Sequence, residues 1–213
     1  MKIKSIEIVK NLFLLTTLIA FKSISAQEKK PLENINVTEI LMHLDWPRMN
    51  YFDDQNKVVD PAINDGRVVF MGNSITQGWS QYMPEMFDNQ NYINRGIGGQ
   101  TTPQMLLRFR QDVIALRPKV VVILAGTNDI AGNTPLKDLE TVAGHLFSMA
   151  ELALAHDIKV ILCSVIPAAD YPWRKGKNPQ IKIPQLNQII QNYCIENDIY
   201  YLDYFTAMTN EKN

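Results

Sequence analysis

The sequence has few of the residues that mark some large classes of protein. Among its 213 residues there are two cysteines, Cys163 and Cys194, which are too few for a disulfide framework or a zinc site. The 21 lysines and arginines are balanced by 22 aspartates and glutamates, so the chain lacks the basic footprint of a nucleic-acid-binding protein. The two cysteines could pair in an exported protein or stay as buried free thiols, and the sequence leaves both possibilities open.

No apolar run near the N-terminus is long enough to span a bilayer comfortably. The run NLFLLTTLIAF, at residues 11–21, follows three lysines and precedes the small residues of SISAQ. This pattern predicts a secretory signal peptide over residues 1–26, cut after Ala26, with an N-terminal anchor helix as the alternative. We therefore expect a protein exported to the periplasm or secreted, with no stable membrane span.

The rest of the chain is expected to form one domain. Residues 27–66 are polar and predict an irregular lead-in with a short helix near TEILMHL. From residue 67, strands and helices alternate. The predicted strands are RVVFMG, NYINRGI, KVVVILAG, KVILCSVIP and IYYLDYF, and helices are predicted near TQGWSQYMPEMF, TPQMLLRFRQDVIAL, PLKDLETVAGHLFSMAELALAH and PQLNQIIQNYCIEN.

This alternation predicts an α/β fold in which helices cover both faces of a parallel five-stranded sheet. A flavodoxin-like strand order, 2-1-3-4-5, fits five strands. At the start of the second predicted helix, Thr102 is expected to be the cap and Pro103 to lie in the first turn.

Three chemistry-bearing motifs follow the first three strands, at the edge where open parallel sheets bind their ligands. The motifs are GNS at 72–74, GIGG at 96–99 and GTND at 126–129. Turn chemistry alone explains glycines and asparagines in such places. It does not predict a hydroxyl, an exposed glycine backbone and an amide side chain together on one rim.

This combination of groups suits acyl transfer. A serine can attack a carbonyl carbon, which would make Ser74 the nucleophile. The backbone N–H groups of Ser74 and Gly98 and the side-chain amide of Asn128 can supply three donors to the resulting oxyanion. Ser74 at the start of a helix also benefits from the positive end of the helix dipole.

The motifs GNSIT, GIGGQTT and GTND resemble, in order, blocks I, II and III of the GDSL or SGNH hydrolase family. The resemblance covers residues 67–205 and implies that Ser74 is the nucleophile, with Gly98 and Asn128 as oxyanion partners. It also implies a flavodoxin-like three-layer αβα sandwich, no metal or other cofactor, and ester or thioester substrates. Asn73 departs from the family name, which has aspartate at this position.

Other motif interpretations fit less well. An α/β-hydrolase elbow needs G-x-S-x-G, and Thr76 stands where the second glycine would be. The segment GIGGQT lacks the third glycine of a dinucleotide fingerprint, and there is no G-K-[ST] phosphate loop. A flavodoxin-like nucleotide binder therefore rests on the fold alone.

A general base for Ser74 is missing from the expected place. In the family, aspartate and histidine come from one Asp-x-x-His motif after the fifth strand. None of His43, His145 and His156 has an aspartate three positions earlier, and Asp203 has no histidine three positions later. His145 is predicted within a helix and His156 at the opposite end of the sheet, whereas His43 in the lead-in could fold over the rim. Asp203 is expected to end the fifth strand or to cap the next element.

Substrate contacts are predicted for Asn73, Trp79 and Trp173, with packing as the alternative for the two indoles. Asp129 could orient the loop of Asn128 or cap the following helix. The loop DYPWRKGKNP, at 170–179, could meet an anionic substrate with its basic residues or simply be solvated.

These features predict an exported serine esterase that acts on a small-molecule ester, with a short or acetyl acyl group on a carbohydrate or lipid. The alternative is a catalytically silent or degenerate binding module, because the Asp-His base is absent from the 213 residues. The hydrolase domain at 67–213 is interpreted as truncated at its C-terminus, and we expect very low turnover from the chain as given. The acyl group, the alcohol and the oligomeric state do not follow from the sequence.

Overall fold

The structure, a computed structural model, describes residues 44–62, 65–88, 91–135 and 138–209. The predicted signal peptide, the start of the helix near TEILMHL and His43 lie outside these ranges. Within them, no helix has the length and apolar character needed to cross a membrane.

Five parallel strands form one sheet in the order β2-β1-β3-β4-β5. The strands are β1 (Val68–Gly72), β2 (Tyr92–Gly96), β3 (Val120–Leu124), β4 (Lys159–Cys163) and β5 (Tyr200–Leu202). Gly72 at the end of β1 pairs with Gly96 and with Leu124, so the first three strands end level with one another. The predicted parallel sheet and its 2-1-3-4-5 order are confirmed.

The helices are α1 (Asp53–Lys57), α2 (Ser74–Tyr82), α3 (Thr102–Asp112), α4 (Thr127–Ala131), α5 (Leu139–Leu154), α6 (Pro179–Glu196) and α7 (Tyr204–Met208). Short 3-10 turns cover Met49–Phe52, Pro84–Met86 and Ile114–Leu116. Helices α1, α4 and α7 were not predicted, because elements of five residues leave too little periodicity to detect. The predicted fifth strand IYYLDYF is too long, since its last residues lie in α7.

Two predicted helix starts are wrong by a few residues. The N-cap of α3 is Thr101, whose capping box with Gln104 leaves Thr102 as the first helical residue. Helix α6 begins at Pro179, so Pro184 lies inside it rather than at its start. Burial of an apolar stripe from Ile183 to Cys194 compensates for the backbone hydrogen bond that Pro184 cannot make.

Apolar clusters lie on both faces of the sheet, as a three-layer sandwich requires. The larger cluster joins one face to α3, α5 and α6. The smaller one centres on Phe70, whose ring meets those of Trp79 and Phe87 edge-on at centroid distances of 5.8 and 5.7 Å. The αβα architecture expected from the sequence is therefore confirmed.

The two cysteines belong to different clusters, Cys163 to the smaller and Cys194 to the larger. Both are buried free thiols. Burial raises the pKa of Cys163 to about 12 and that of Cys194 to about 11. Of the two possibilities that the sequence left open, the structure has the free thiols.

Candidate active site

Ser74 lies at the junction of β1 and α2, where the chain turns sharply from strand to helix. It is the first residue of α2, is exposed, and borders a cavity of about 540 Å³ at the carboxyl edge of the sheet. The N–H groups of a first helical turn have no acceptor within their own helix, so those of α2 point toward this edge. The hydroxyl and a set of backbone donors are thus presented together.

Asn73 shapes this turn and does not reach the cavity. It is the N-cap of α2, and its side-chain Oδ1 accepts a hydrogen bond from the N–H of Ile75 at 3.0 Å. Only 1% of the residue is exposed, and its predicted substrate contact stays a prediction. Its Nδ2 is buried with no hydrogen-bond partner among the described residues.

Asn128 reaches the same cavity from the end of β3. It lies in the first turn of α4, is 4% exposed, and donates one Nδ2 hydrogen to the carbonyl oxygen of Gln100 at 2.9 Å. A side-chain amide carries two hydrogens, so one remains for a ligand in the cavity. The hydrogen bond to Gln100 fixes the direction in which this second hydrogen points.

The loop after β2 brings Gly98 and Gly99 to the site. The N–H of Gly98 donates to Oε1 of Gln77 at 2.8 Å, and Nε2 of Gln77 donates to the hydroxyl of Tyr51 at 3.0 Å. Gly99, with a φ of +80°, borders the cavity. The Gly98 N–H that the sequence assigned to an oxyanion is therefore held by a side chain, and that assignment stays a prediction.

Arg108, which the sequence analysis did not single out, holds the loops of the site together. Its guanidinium donates to the carbonyl oxygens of Gly72 at 3.3 Å and Arg95 at 2.8 Å, and to Oε1 of Gln100 at 2.7 Å. An ion pair with Asp112 at 2.9 Å, in which both side chains are fully buried, compensates its charge. One side chain of α3 thus ties the end of β1 to the end of β2 and to Gln100.

Asp129 fixes the loop of Asn128 against α3. Its carboxylate accepts hydrogen bonds from the N–H of Thr102 at 3.0 Å and from its hydroxyl at 2.7 Å. Burial raises the pKa of Asp129 to about 6, although the hydrogen bonds from Thr102 act in the opposite direction. Asp129 therefore orients the loop of Asn128. The N–H group from which it accepts lies at the start of α3, not at the start of α4.

Neither described histidine reaches Ser74. Nδ1 of His145 lies 3.0 Å from the hydroxyl of Thr102, and Nδ1 of His156 lies 2.9 Å from the carbonyl oxygen of Leu152. His156 directly precedes β4, at the amino edge of the sheet, as predicted. Within the described ranges, no imidazole or carboxylate forms a hydrogen bond with the Ser74 hydroxyl.

Asp203 has a structural role at the end of β5. It is the N-cap of α7, and its Oδ1 accepts a hydrogen bond from the N–H of Thr206 at 3.0 Å. Burial raises the pKa of Asp203, but hydrogen bonds from Thr206, Ser164 and the Phe205 backbone outweigh this effect and lower it. The predicted capping role is confirmed.

The indoles of Trp79 and Trp173, both predicted to contact substrate, lie in different surroundings. Trp79 is five residues after Ser74, which places it about 140° around the helix from the serine. Its ring packs on Phe70 and Tyr204 and does not line the cavity, and its predicted substrate contact stays a prediction. Trp173 does line the cavity and is 62% exposed.

The basic loop at 170–179 is partly anchored to the same region. The guanidinium of Arg174 donates to the carbonyl oxygen of Gly132, which follows α4. Across the part of the chain that the structure describes, no group of three or more His, Cys, Asp or Glu side chains could hold a metal ion.

Residues 70–213 match the model of the GDSL-like Lipase/Acylhydrolase family, and the chain belongs to this family, whose name denotes the hydrolysis of acyl esters. A crystal structure of a GDSL-like lipase from Bacteroides thetaiotaomicron is 46% identical in sequence, with a TM-score of 0.74. That similarity covers 78% of this chain and 82% of the lipase.

Two curated relatives match over shorter stretches. Platelet-activating factor acetylhydrolase IB subunit alpha2 of Homo sapiens is 29% identical over 140 residues, which are 63% of this chain and 57% of the relative. The uncharacterized lipoprotein YqeF of Bacillus subtilis is 40% identical over 82 residues, 37% of this chain and 34% of the relative. The chain thus spans less than two thirds of the length of either relative.

Proposed function

We propose that the protein is an exported serine esterase that hydrolyses short-chain or acetyl esters of carbohydrates or lipids through an acyl-enzyme on Ser74. The observation that carries this proposal is the meeting of Ser74, Gly99 and Asn128 on one cavity, each at the end of a different strand. Membership of the acylhydrolase family supports an ester as the substrate.

The geometry supports a two-step reaction. The Ser74 oxygen attacks the ester carbonyl carbon, and the carbonyl oxygen takes up negative charge. The free Nδ2 hydrogen of Asn128, the Ser74 N–H and an N–H of the 98–99 loop then donate to that oxygen. Collapse of this intermediate expels the alcohol, which takes up a proton. Water then attacks the acyl-enzyme, releases the acid and restores the serine hydroxyl.

The proton of Ser74 needs an acceptor during the first step. Since neither His145 nor His156 contacts the serine, we assign this role to neither of them. The family resemblance assigns it to an Asp-x-x-His motif, which the 213 residues do not contain. Triad loss in serine hydrolases leaves a residual acceleration of about 10³–10⁴ over water, so slow hydrolysis is expected from the present chain.

A second candidate function is a binding module that holds an ester without cleaving it. The lack of a base on the Ser74 hydroxyl among the described residues favours this alternative. It predicts that a ligand binds in the cavity with no release of acid.

The hydrolysis of triacetin, measured as the acetate released, distinguishes the two functions. We expect slow turnover by the chain that Ser74→Ala abolishes. Ser80→Ala is a matched control, since Ser80 is an exposed serine of the same helix that does not border the cavity. Full activity of Ser74→Ala would refute the esterase mechanism, and no turnover by either protein would favour the binding module.

Export is the other part of the proposal. The lysines and apolar run of residues 1–21 support it. One relative is named a lipoprotein, but no cysteine lies near Ala26 to carry a lipid in this chain. Expression in a Gram-negative host followed by mass spectrometry of the periplasmic fraction should give a mature protein that begins at Gln27. An uncleaved chain in the membrane fraction would favour the anchor helix instead.

A further inference from the structure

Trp173 is an exposed indole at the candidate site. It follows β4 in the chain and lines the cavity that contains Ser74 and Asn128, yet 62% of its surface is accessible to solvent. An indole exposes a large apolar face, and its burial by a ligand is favourable. An indole beside a reactive serine is thus well placed to bind part of a substrate.

The residues on either side of Trp173 hold it in place. Tyr171 is 2% exposed, its ring centroid lies 5.2 Å from that of Trp173 with the ring planes at 38°, and its hydroxyl bonds with Oγ1 of Thr127 at 2.9 Å. Arg174 donates to the carbonyl oxygen of Gly132. Both anchors lie at α4, which carries Asn128. The position of the indole is therefore coupled to that of Asn128, the candidate oxyanion donor. This loop has little conformational entropy left to lose when a ligand binds.

The cavity that the indole lines also contains hydrogen-bond acceptors. Asp170 and Asn133 line the same cavity. Asn133 donates its Nδ2 to the carbonyl oxygen of Gly99, which leaves its Oδ1 available. Asp170 uses one carboxylate oxygen to accept the N–H of Tyr171, which leaves the other. The cavity thus combines an apolar indole face with acceptor oxygens.

We propose that Trp173 is a stacking platform for the sugar ring of an acylated saccharide, with the sugar as the alcohol part of the ester. A sugar ring has an apolar face of C–H groups and a rim of hydroxyl donors, which match the indole face and the oxygens of Asp170 and Asn133. The cleavage of such an ester rests on the proposed function, whereas the binding of the sugar does not. A phospholipid has no such ring, and binding of a phospholipid instead of a sugar is an outcome of the test.

The rest of the lining suits the acyl group. Ile75, Ile166, Pro167 and Ala168 contribute apolar surface to the cavity that holds Ser74. A short acyl chain can be buried there while the sugar ring stays on Trp173. This division assigns the two halves of the ester to different parts of one cavity.

Binding to the full chain carrying Ser74→Ala tests the platform without turnover. The probes are cellotetraose, xylotetraose and N-acetylchitotetraose, with dihexanoylphosphatidylcholine below its micelle concentration as the lipid probe. Isothermal titration gives the affinities, and indole fluorescence reports stacking. The added variants are Trp173→Ala, Trp173→Phe and, as a matched control, Trp46→Phe, since Trp46 is 41% exposed and does not line the cavity.

We expect at least one tetrasaccharide to bind, with an affinity that falls about tenfold or more in Trp173→Ala, less in Trp173→Phe, and not at all in Trp46→Phe. The inference is overturned if no tetrasaccharide binds, if Trp173→Ala binds as well as its parent, or if only the phospholipid binding depends on Trp173.

Triacetin has no sugar ring and separates this inference from the proposed function. The unmodified chain and Ser74→Ala are therefore compared for the hydrolysis of triacetin. If Ser74→Ala keeps that activity while Trp173 binds a sugar, the esterase mechanism fails and the platform stands. If Ser74→Ala loses the activity and no sugar binds, the platform fails and the mechanism stands.

Discussion

The side chain of Gln77 accepts the N–H of Gly98 at 2.8 Å, which joins the first turn of α2 to the loop after β2. Gln77 stands one turn after Ser74, so the residue that anchors the glycine loop and the candidate nucleophile share one helix. Gly99, which has a positive φ, is the next residue after Gly98. Gln77 thereby sets the position of this loop relative to the serine.

Replacement of Gln77 by alanine tests whether this anchor supports the reaction. We expect Gln77→Ala to lower kcat for triacetin by about tenfold with little change in KM, because misplacing an oxyanion donor costs a part of the roughly 3–4 kcal/mol that one such donor supplies. Gln81→Ala, an exposed glutamine of the same helix, should leave both constants unchanged. A rise in kcat for Gln77→Ala would instead identify the released Gly98 N–H as the donor itself.

No base contacts the Ser74 hydroxyl among the described residues, and a proton acceptor can be supplied from solution. We expect millimolar imidazole to raise the rate of acetate release from triacetin, because a free imidazole can enter the open cavity and accept the serine proton. The increase should saturate with imidazole concentration and vanish in Ser74→Ala. If imidazole raised the rates of the unmodified chain and Ser74→Ala equally, the hydrolysis would be a solution reaction, not one on Ser74.

The buried pair of Arg108 and Asp112 should dominate the stability of the site region. Removal of one partner leaves a buried charge, so we expect Arg108→Met to lower the free energy of unfolding by about 3–5 kcal/mol in urea titrations. Arg110→Ala, at an exposed position of the same helix, should change it by no more than about 0.5 kcal/mol. The double variant Arg108→Met, Asp112→Leu should recover part of the loss, and a double variant as unstable as the single one would contradict this account.

Asp129 should make stability fall as the pH rises from about 4 to 6. Its pKa is raised from 3.8 to about 6 in the folded protein, so the folded state binds the proton more tightly than the unfolded chain. The stabilisation is complete below 3.8 and is lost as the pH passes 6. Relative to Asp129→Asn, the unfolding free energy should fall by about 1.4 kcal/mol per pH unit in this window.

Urea titrations at several pH values measure this slope. Comparison with Asp129→Asn removes the contribution of Asp203, whose lowered pKa makes the unfolding free energy rise with pH. Asp170→Asn, which removes an exposed carboxylate, serves as the control. A difference between the unmodified chain and Asp129→Asn that does not vary with pH would show that Asp129 stays ionised throughout the window.

The strands and their order could be predicted because they depend on local patterns. The apolar runs around Val69 and Val122 are typical of strands buried on both faces, and each ends in a glycine-containing motif. The positions of Ser74 and Asn128 followed from those strand ends. Each of these inferences needs only neighbouring residues and the rule that parallel strands end at one edge.

The contacts that arrange the site could not be predicted in the same way. Arg108 stands between Leu107 and Phe109 in an amphipathic helix, and nothing nearby in the sequence shows that it reaches Gly72, 36 positions earlier. Gln77 could have been suspected from its spacing to Ser74, but its partner Gly98 depends on how β2 lies against β1. The packing of Trp79 on Phe70 depends on the helix phase, which the predicted helix start did not fix.

The interior position of β1 in the sheet has a consequence for how the molecule fluctuates. This strand pairs with β2 on one side and β3 on the other, and Ser74 and Asn128 lie just beyond the ends of β1 and β3. Separation of the strand ends that carry the two residues would require the middle of the sheet to open, which is costly because β1 and β3 are each paired on both sides. We therefore expect the amides of β1 and β3 to be among the slowest to exchange with deuterium. Such slow exchange would mean that the spacing of Ser74 and Asn128 persists until the molecule unfolds as a whole.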